Sequence, residues 1–483
     1  MHMRSVNVIL ALALGLELAA GCGSTPPPSE SSPTPAVAPA SDAPERFAAL
    51  SRRYIAERAA AYPAQATQWG LHEHDHALRD LRAEAIAARV AQLRATLDAL
   101  TAIERAGLDE PAHTDHLLLD HALRAELLEL EEIRAWQRNP MVYNGAIARG
   151  LASLVDRAFA PLPARMEAAI ARLDGVGAVI AAAKTNLRDV PRLWARLGAE
   201  LTRGTASFLR EDLPAGFEAQ GLATLAIGDP EQRLLVERFH AAHARALAEV
   251  EGFAEWLEHE LLPKASGDFR LGPELFLRKL RYEEHVELDI DQLKAMNQAA
   301  IRDYQAWVAR VAAELDPAAE PTRVMADLTT DYPAPEALLD TARGYMEEAR
   351  GFIVEHELLT LPSDDRPIVR PTPAYARTGF ASMSTPGPFE TVATEAYYNI
   401  TTVDPAWDQA RAHQHLTYFN RPGLLGITVH EAFPGHFVQL LYRSRIPSDL
   451  RKVISTRTLV EGWAHYTEQM MVDEGLGAGA PTV

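Results

Sequence analysis

Apolar residues recur at intervals of three and four along most of this chain, the spacing that puts side chains on one face of an α-helix. Two series are the clearest: Ile86, Val90, Leu93, Leu97 and Leu100, and then Leu235, Phe239, Val250, Phe253 and Leu257, which Pro263 is predicted to end. Segments rich in Ala, Arg, Glu and Leu recur at about 115–137, 162–185, 288–315 and 335–358. The pattern predicts a mainly α, large multi-helix fold.

One stretch departs from the helical pattern. Between residues 361 and 405, Pro, Gly, Ser and Thr accumulate, and residues 397–403 read Tyr-Tyr-Asn-Ile-Thr-Thr-Val. Aromatic and β-branched residues favour strands, whereas proline and glycine mark turns and loops. A short strand at 397–403 is therefore predicted, which gives the helical fold a small β segment.

The first 45 residues have an organisation of their own. After Arg4 comes an apolar run over residues 6–20, which at about fifteen residues is too short for a membrane span and is typical of a signal-peptide core. The run ends in Leu18-Ala-Ala-Gly21-Cys22, which resembles a bacterial lipobox. The Pro- and Ser-rich stretch that follows lacks the apolar residues that a core needs. The sequence predicts a signal peptide over 1–21, lipidation at Cys22, a tether over 22–45 and a folded domain over 46–483.

The cysteine count and the net charge limit where the protein is expected to act and what it is expected to bind. Cys22 is the only cysteine, so no intramolecular disulfide can form. A formal net charge of −19 argues against nucleic acid, because phosphates require a basic stripe, and it gives no attraction to anionic headgroups. We expect an exported lipoprotein that is anchored to the membrane only by its N-terminal lipid. It would face the periplasm or the cell surface, at the outer membrane where the source has one.

The candidate chemistry lies near the end of the chain. Residues 430–436 read His-Glu-Ala-Phe-Pro-Gly-His, and Glu461 follows His436 by 25 positions (461 − 436). Two His and one Glu are a ligand set of catalytic zinc, which keeps a fourth position for water and lowers the pKa of that water. Glu431, beside the first His, is the candidate general base.

The spacing of the two histidines differs from the familiar one. In a His-Glu-x-x-His helix they lie four apart and share a face, whereas His430 and His436 are six apart, about 240° around an ideal helix. Two structures fit the intervening Pro434 and Gly435. Either a bulge returns His436 to the face of His430, or the helix ends at Phe433 and a turn leaves the two histidines unrelated.

The strings HEAFPGHFVQ and EGWAHYTE resemble the paired signatures of a large bacterial family, domain of unknown function 885. Its members are often lipoproteins and are placed among gluzincin-type zinc peptidases. Tyr62-Pro63 leading to Trp69-Gly70-Leu71, and Asn139-Pro140 leading to Tyr143, extend the likeness loosely over about 46–475.

The resemblance implies a zinc-peptidase-like fold in which His430, His436 and Glu461 hold Zn²⁺ and Glu431 is the base. It also implies that a strand within 361–405 is the edge that binds the substrate backbone beside the active-site cleft. The alternative for 361–405 is an irregular surface loop with one short strand.

Glu461 and its neighbours admit other roles. Thr458-Leu-Val-Glu461 fits a capping box, in which the Glu satisfies a backbone N–H at a helix start. His465 shares a helical face with Glu461 and is a candidate catalytic residue, either orienting a ligand or donating to the transition state; its alternative is a partly buried helix histidine. Glu468 is predicted to lie on the surface, and the His-rich segment 72–76 to be a solvated loop.

Two functions remain open from the sequence. The first is a zinc-dependent metallopeptidase, a hydrolase acting on peptides in the cell envelope. The second is a non-catalytic helical lipoprotein that binds peptides or envelope partners. Glu431 favours the first, because a structural metal site has no use for a carboxylate beside its ligand. Since relatives continue beyond the second motif, we expect the domain over 46–483 to be truncated at its C-terminus and to lack some oxyanion-stabilising residues.

Overall fold

The computed structural model describes residues 42–373, 377 and 379–477. The predicted signal peptide, Cys22 and nearly all of the predicted tether lie outside these residues. The first helix begins at Ala43 rather than at residue 46. Pro44 is in its first turn, where the missing N–H costs little because first-turn N–H groups have no helical partner.

The first part of the fold is a helical assembly. Its helices are α1 (Ala43–Ala61), α2 (Pro63–Trp69), α3 (Ala83–Thr101), α4 (Glu110–Leu127), α5 (Ala135–Arg138), α6 (Met141–Val155), α7 (Leu162–Asp174), α8 (Val176–Asn186), α9 (Arg192–Ser207), α10 (Leu213–Glu218), α11 (Leu222–Ala226) and α12 (Pro230–Trp256). Single helical turns lie at Arg105–Gly107, Leu128–Ile133, Phe208–Asp212, Leu257–Leu261 and Leu262–Lys264.

The second part adds further helices and a small sheet. Its helices are α13 (Pro273–Glu284), α14 (Ile290–Leu315), α15 (Pro321–Leu328), α16 (Leu338–Glu355), α17 (Gln409–Tyr418), α18 (Arg421–Glu431), α19 (His436–Arg445), α20 (Asp449–Val453) and α21 (Arg457–Asp473), with a single turn at Pro335–Ala337. Its strands are β1 (Ile368–Pro371), β2 (Ala381–Ser384) and β3 (Tyr397–Ile400). The prediction of a mainly α, multi-helix fold with a small β segment is confirmed.

The apolar series read from the sequence face the core of the first part. In α3 the buried members are Ile86, Leu93 and Leu100, and the whole second series is buried in α12 and at the start of the turn that continues it. The helical path of α12 continues through single turns to Lys264, so Pro263 lies in its last turn. Periodicity therefore located both helices, because in each the core meets one continuous face.

The sheet corrects the prediction for residues 397–403. β3 ends at Ile400, and it is the central strand, parallel to β1 and antiparallel to β2. The edges of the sheet are β1 and β2, which the sequence did not predict. β2 reads Ala-Ser-Met-Ser, a composition with little strand preference, and its pairing with β3 overrides that preference.

The core of the second part holds the elements that carry the two motifs. Buried side chains from α16, β3, α18, α19 and α21 form it, with Phe433 and Phe437 of the first motif among them. Arg157 of the first part reaches β2 and donates to the carbonyl of Ser384 at 3.0 Å and to its Oγ at 2.9 Å. Arg451 donates to Asp115 at 2.5 Å. The first part thus holds the edge strand β2 in place.

The predicted solvated loop around His72 is instead a contact between the two parts. His72 Nδ1 lies 2.9 Å from Asp75 Oδ2, and Nε2 lies 3.1 Å from Glu390 Oε2, in the segment that follows β2. The ring stacks on Phe159 with centroids 4.1 Å apart, and Arg172 lies 4.0 Å from Asp75. We call His72, Asp75 and Glu390 the His72 clamp.

We expect the His72 clamp to make stability depend on pH. The hydrogen bond with Asp75, opposed by burial and reinforced by Glu390, raises the pKa of His72. Folding therefore favours the protonated ring. Its contribution to the free energy of unfolding is complete below the unfolded pKa of about 6.5 and is lost as pH rises through the higher folded pKa.

Urea midpoints of unfolding, measured for each protein from about pH 5 to about pH 9, test this. His72→Gln should lose the decline in stability that belongs to this titration. His76→Gln, which changes an exposed histidine of the same segment, should keep it. A decline of the same size in His72→Gln and the unaltered protein would contradict the expectation.

Candidate metal centre

The first motif forms the end of α18, a tight turn and the start of α19. The turn comprises Ala432–Gly435 and contains a cis peptide bond before Pro434. The N–H of Gly435 donates to the carbonyl of Val429 at 3.0 Å. A Cβ at Gly435 would overlap the carbonyl groups of Val429 and His430, so the turn requires glycine.

The turn brings the two histidines together. The ring centroids of His430 and His436 are 4.6 Å apart, with the planes at 87°. A complete break between two helices replaces the bulge that was predicted as one alternative. The other alternative, that a break leaves the histidines unrelated, is also wrong. Trp463 of the second motif donates from Nε1 to the carbonyl of Pro434 at 2.8 Å and so holds the turn against α21.

The second motif lies on α21 and faces this turn. Thr456 caps α21 by accepting the N–H of Leu459 at 3.0 Å, which places Glu461 in the second helical turn. The alternative role for Glu461, a capping box with Thr458, is therefore absent. Glu461 instead directs its carboxylate towards the two histidines.

The distances from Glu461 to the two histidines suit a tetrahedral metal ion. Glu461 Oε2 lies 3.8 Å from His430 Nε2 and 3.6 Å from His436 Nε2. Zinc bonds of about 2.0–2.1 Å in tetrahedral geometry separate two donors by roughly 3.4 Å, close to both distances. A second group within the described residues comprises His430, His465 and Glu468. Its contacts of 2.6 and 3.0 Å are too short for donor atoms that enclose an ion.

Glu468 is the site residue that the sequence reasoning missed. It was predicted to lie on the surface, yet its Oε1 lies 2.6 Å from His430 Nδ1 and 3.0 Å from His465 Nδ1. A carboxylate on Nδ1 fixes the tautomer that leaves Nε2 free to bind a metal. The signal was spacing, because Glu461, His465 and Glu468 follow steps of four and three on one helical face.

His465 lies beside the candidate ligands but remains largely exposed. Its ring centroid is 5.0 Å from that of His430, and its side chain is 70% exposed. The alternative of a partly buried helix histidine is therefore wrong. An exposed imidazole next to the candidate donors is accessible to a ligand that approaches them.

Glu431 is the buried acid of the site. The backbone of Met383 in β2 hydrogen-bonds to it, and its Oε2 has no hydrogen-bond partner among the described residues. Burial raises the pKa of Glu431 to about 7, although the neighbouring His430 and the Met383 N–H oppose the shift. An unpaired buried carboxylate oxygen is costly in a purely structural position.

The two histidines have opposite electrostatic surroundings. Burial lowers the pKa of His436, and the adjacent His430 lowers it further. Burial also acts to lower the pKa of His430, but the hydrogen bond to Glu468 and the nearby carboxylates outweigh it and raise that pKa. The carboxylates that favour a proton on His430 would equally favour a metal cation beside it.

The family model described as "Bacterial protein of unknown function (DUF885)" matches residues 63–482. The chain belongs to this family. Both motifs lie within the match, so the predicted membership in domain of unknown function 885 is confirmed. No protein with a curated description matches this member of DUF885.

Two solved structures share the fold of this DUF885 protein. A proposed lipoprotein of unknown function from Shewanella oneidensis is 25% identical, with a TM-score of 0.72 over 90% of this chain and 79% of that chain. A proposed lipoprotein from Colwellia psychrerythraea is 16% identical, with a TM-score of 0.71 over 91% of this chain and 80% of that chain. Neither description names an activity, so the chemistry of the DUF885 site has to be argued from its residues.

We expect about one zinc ion per chain, held by His430, His436 and Glu461. Alanine at any of the three should abolish stoichiometric binding, because two donors hold the ion too weakly. Glu431→Gln should keep the metal, since that side chain is not among the three donors. Glu468→Gln should weaken affinity by roughly ten- to a hundredfold, as expected when a group that orients a ligand is removed.

Elemental analysis measures the zinc content of each protein, and competition with a chelator measures its affinity for zinc. Each variant is compared with the unaltered protein after circular dichroism has shown an unchanged helix content. Full zinc content in His436→Ala would contradict the proposed ligand set.

Proposed function

We propose that this protein is a zinc-dependent metallopeptidase that acts on peptides in the cell envelope. The observation that carries the proposal is the meeting of His430, His436 and Glu461 beside the buried carboxylate of Glu431. Three donors leave one position open, as in catalytic rather than structural zinc sites. A carboxylate beside the ligands but outside the donor set has a use in hydrolysis and none in a structural site.

The sheet edge supports a peptide as the substrate. Because the backbone of Met383 hydrogen-bonds to Glu431, the N–H of Met383 points away from β3. Alternate residues of a strand share an orientation, so the N–H of Ala381 points away from β3 as well. β2 is an edge strand, and an extended peptide can add to such an edge through main-chain hydrogen bonds. A peptide bound there would lie beside Glu431.

The residues of the chain can then be assigned to steps of hydrolysis. When bound, zinc supplies Lewis acidity, which polarises a carbonyl and makes water more acidic. Glu431 takes a proton from the attacking water at its unpartnered Oε2 and later delivers that proton to the leaving amine. His465 donates a hydrogen bond to the carbonyl oxygen as negative charge develops on it. Glu468 holds His430 in position.

We also propose that the protein is a lipoprotein anchored through Cys22. The apolar run before Cys22 and the two structural neighbours described as proposed lipoproteins support this. Within the described residues, no helix combines the length and the apolar character needed to cross a bilayer. The anchor would keep the peptidase on the periplasmic or cell-surface side.

Glu431→Gln should lower the turnover of a cleaved peptide by roughly a hundredfold to ten-thousandfold, because the amide cannot accept the proton. Substrate affinity and zinc content should change little. A peptide-library digest with zinc-loaded protein, followed by kinetics on one cleaved peptide, measures the effect. Glu474→Gln, an exposed position on the same protein, is the matched control and should match the unaltered enzyme.

Cleavage that persists unchanged in Glu431→Gln would point to a contaminating protease or to another mechanism. Zinc binding without any cleavage would instead favour the non-catalytic, peptide-binding lipoprotein.

Cys22→Ser should release the protein from the membrane fraction to the soluble fraction, because serine cannot form the thioether to diacylglycerol. Fractionation of cells, with mass spectrometry of the mature N-terminus, measures this. Ser24→Ala, two residues further on, is the control and should stay in the membrane fraction. A mature protein cleaved elsewhere, with Cys22 unmodified, would sink the lipoprotein proposal.

A further inference from the structure

A cavity of about 610 Å³ lies between the two parts of the fold. Arg443 of α19 and Arg457 of α21 line one side, and the segment Thr385–Pro388 that follows β2 lines another. Residues of α1, α2, α4 and the end of α13 form the remaining wall. We name this space the arginine cavity.

The two arginines share helix faces with the candidate metal ligands. Arg443 follows His436 by seven residues (443 − 436), nearly two turns, so both lie on one face of α19 and roughly 10 Å apart along its axis. Arg457 precedes Glu461 by four residues (461 − 457) on one face of α21, roughly 6 Å away. Each arginine that lines the cavity is therefore within about two helical turns of a candidate metal ligand, although no candidate ligand lines the cavity itself.

The edge strand β2 extends from Glu431 to the arginine cavity. β2 meets Glu431 through Met383, and its chain continues directly into the cavity wall at Thr385. An extended peptide advances roughly 3.3 Å per residue. A peptide lying along β2 would cover 6–10 Å in roughly two or three residues, and its end would then lie near the arginines.

The acidic side chains of the arginine cavity already have partners, either neighbouring cations or a backbone N–H. These pairs are Glu126 with Arg58 and Arg89, Glu129 and Glu283 with Lys279, and Glu284 with the N–H of Thr458. Glu126, Glu129 and Glu283 are thus ion-paired, whereas Glu284 has no cationic partner among the described residues.

The two arginines differ from these acids, because within the described part of the chain neither forms an ion pair with a carboxylate. Arg443 donates from Nε to the carbonyl of Lys452 at 2.8 Å, a neutral acceptor. Burial lowers the pKa of Arg443, with no opposing carboxylate. A partly buried guanidinium is usually paired. Arg443 and Arg457 therefore supply guanidinium donors in the cavity that no carboxylate of the described residues already binds.

We propose that the arginine cavity binds the C-terminal carboxylate of a peptide substrate, two or three residues beyond the bond that is cut. The inference rests on the proposed peptidase function and adds the substrate class and the end of the chain that is recognised. Arginine suits this role because its planar donors match a carboxylate. The enzyme would release dipeptides or tripeptides from free C-termini.

Binding can be tested without turnover in zinc-loaded Glu431→Gln protein. The probe is one neutral hexapeptide with an acetylated N-terminus, prepared with either a free C-terminal carboxylate or a C-terminal amide. Isothermal titration should show the acid binding roughly ten- to a hundredfold more tightly than the amide, the range of a charge-assisted hydrogen bond. Arg443→Gln and the more exposed Arg457→Gln should each reduce this ratio towards one. Arg445→Gln, on the same helix but outside the cavity, should retain it.

The outcomes separate this inference from the proposed function. Equal binding of acid and amide, or a ratio that survives in both Arg443→Gln and Arg457→Gln, overturns the inference even if the unaltered protein cleaves peptides. A ratio lost in those two variants supports carboxylate binding even if no peptide is cleaved. With active enzyme, release of dipeptides or tripeptides from the acid but not from the amide supports the inference, and cleavage at internal bonds of both overturns it.

Discussion

The close approach of Gly435 to the carbonyl groups of Val429 and His430 is the constraint on which the site depends. A continuous helix would direct His430 and His436 about 240° apart, so the chain has to break between them and then turn back sharply. No side chain fits inside that reversal. Phe433 and Phe437 anchor its two sides in the core, and the convergence of the two histidines follows.

The second motif completes the arrangement from a separate helix. Trp463 donates to the carbonyl of Pro434, Glu461 is the third candidate donor, and Glu468 hydrogen-bonds to the ring of His430, all from α21. Docking α21 against the turn therefore assembles the donor set and its orienting carboxylate in one step. The helical first part contributes indirectly, because Arg157 holds β2 where it meets Glu431.

The sequence predicted the structure best where apolar residues repeat with the period of an α-helix. Long helices such as α3 and α12 were predicted from their apolar spacing, and the candidate donors from residue type and motif. β2 was not predictable, because four residues reading Ala-Ser-Met-Ser become a strand only through pairing with β3. The His72 clamp was missed for a similar reason, since its second carboxylate, Glu390, lies far along the chain. Glu468 could have been found, because its helical spacing from Glu461 was already visible.

The overall charge of the chain bears on how the arginines near the candidate site are paired. The chain carries 66 acidic side chains against 47 Lys and Arg, so a cation has no shortage of carboxylates with which to pair. Arg58 and Arg89 both pair with the buried Glu126, as cations in such a chain are expected to do. Arg443, which is partly buried, is bonded instead to a neutral carbonyl, as the buried Arg165 also is. The position of Arg443 on the helix face that begins with a candidate metal ligand, His436, gives the cavity a cationic end at a distance from the proposed reaction that the helix sets.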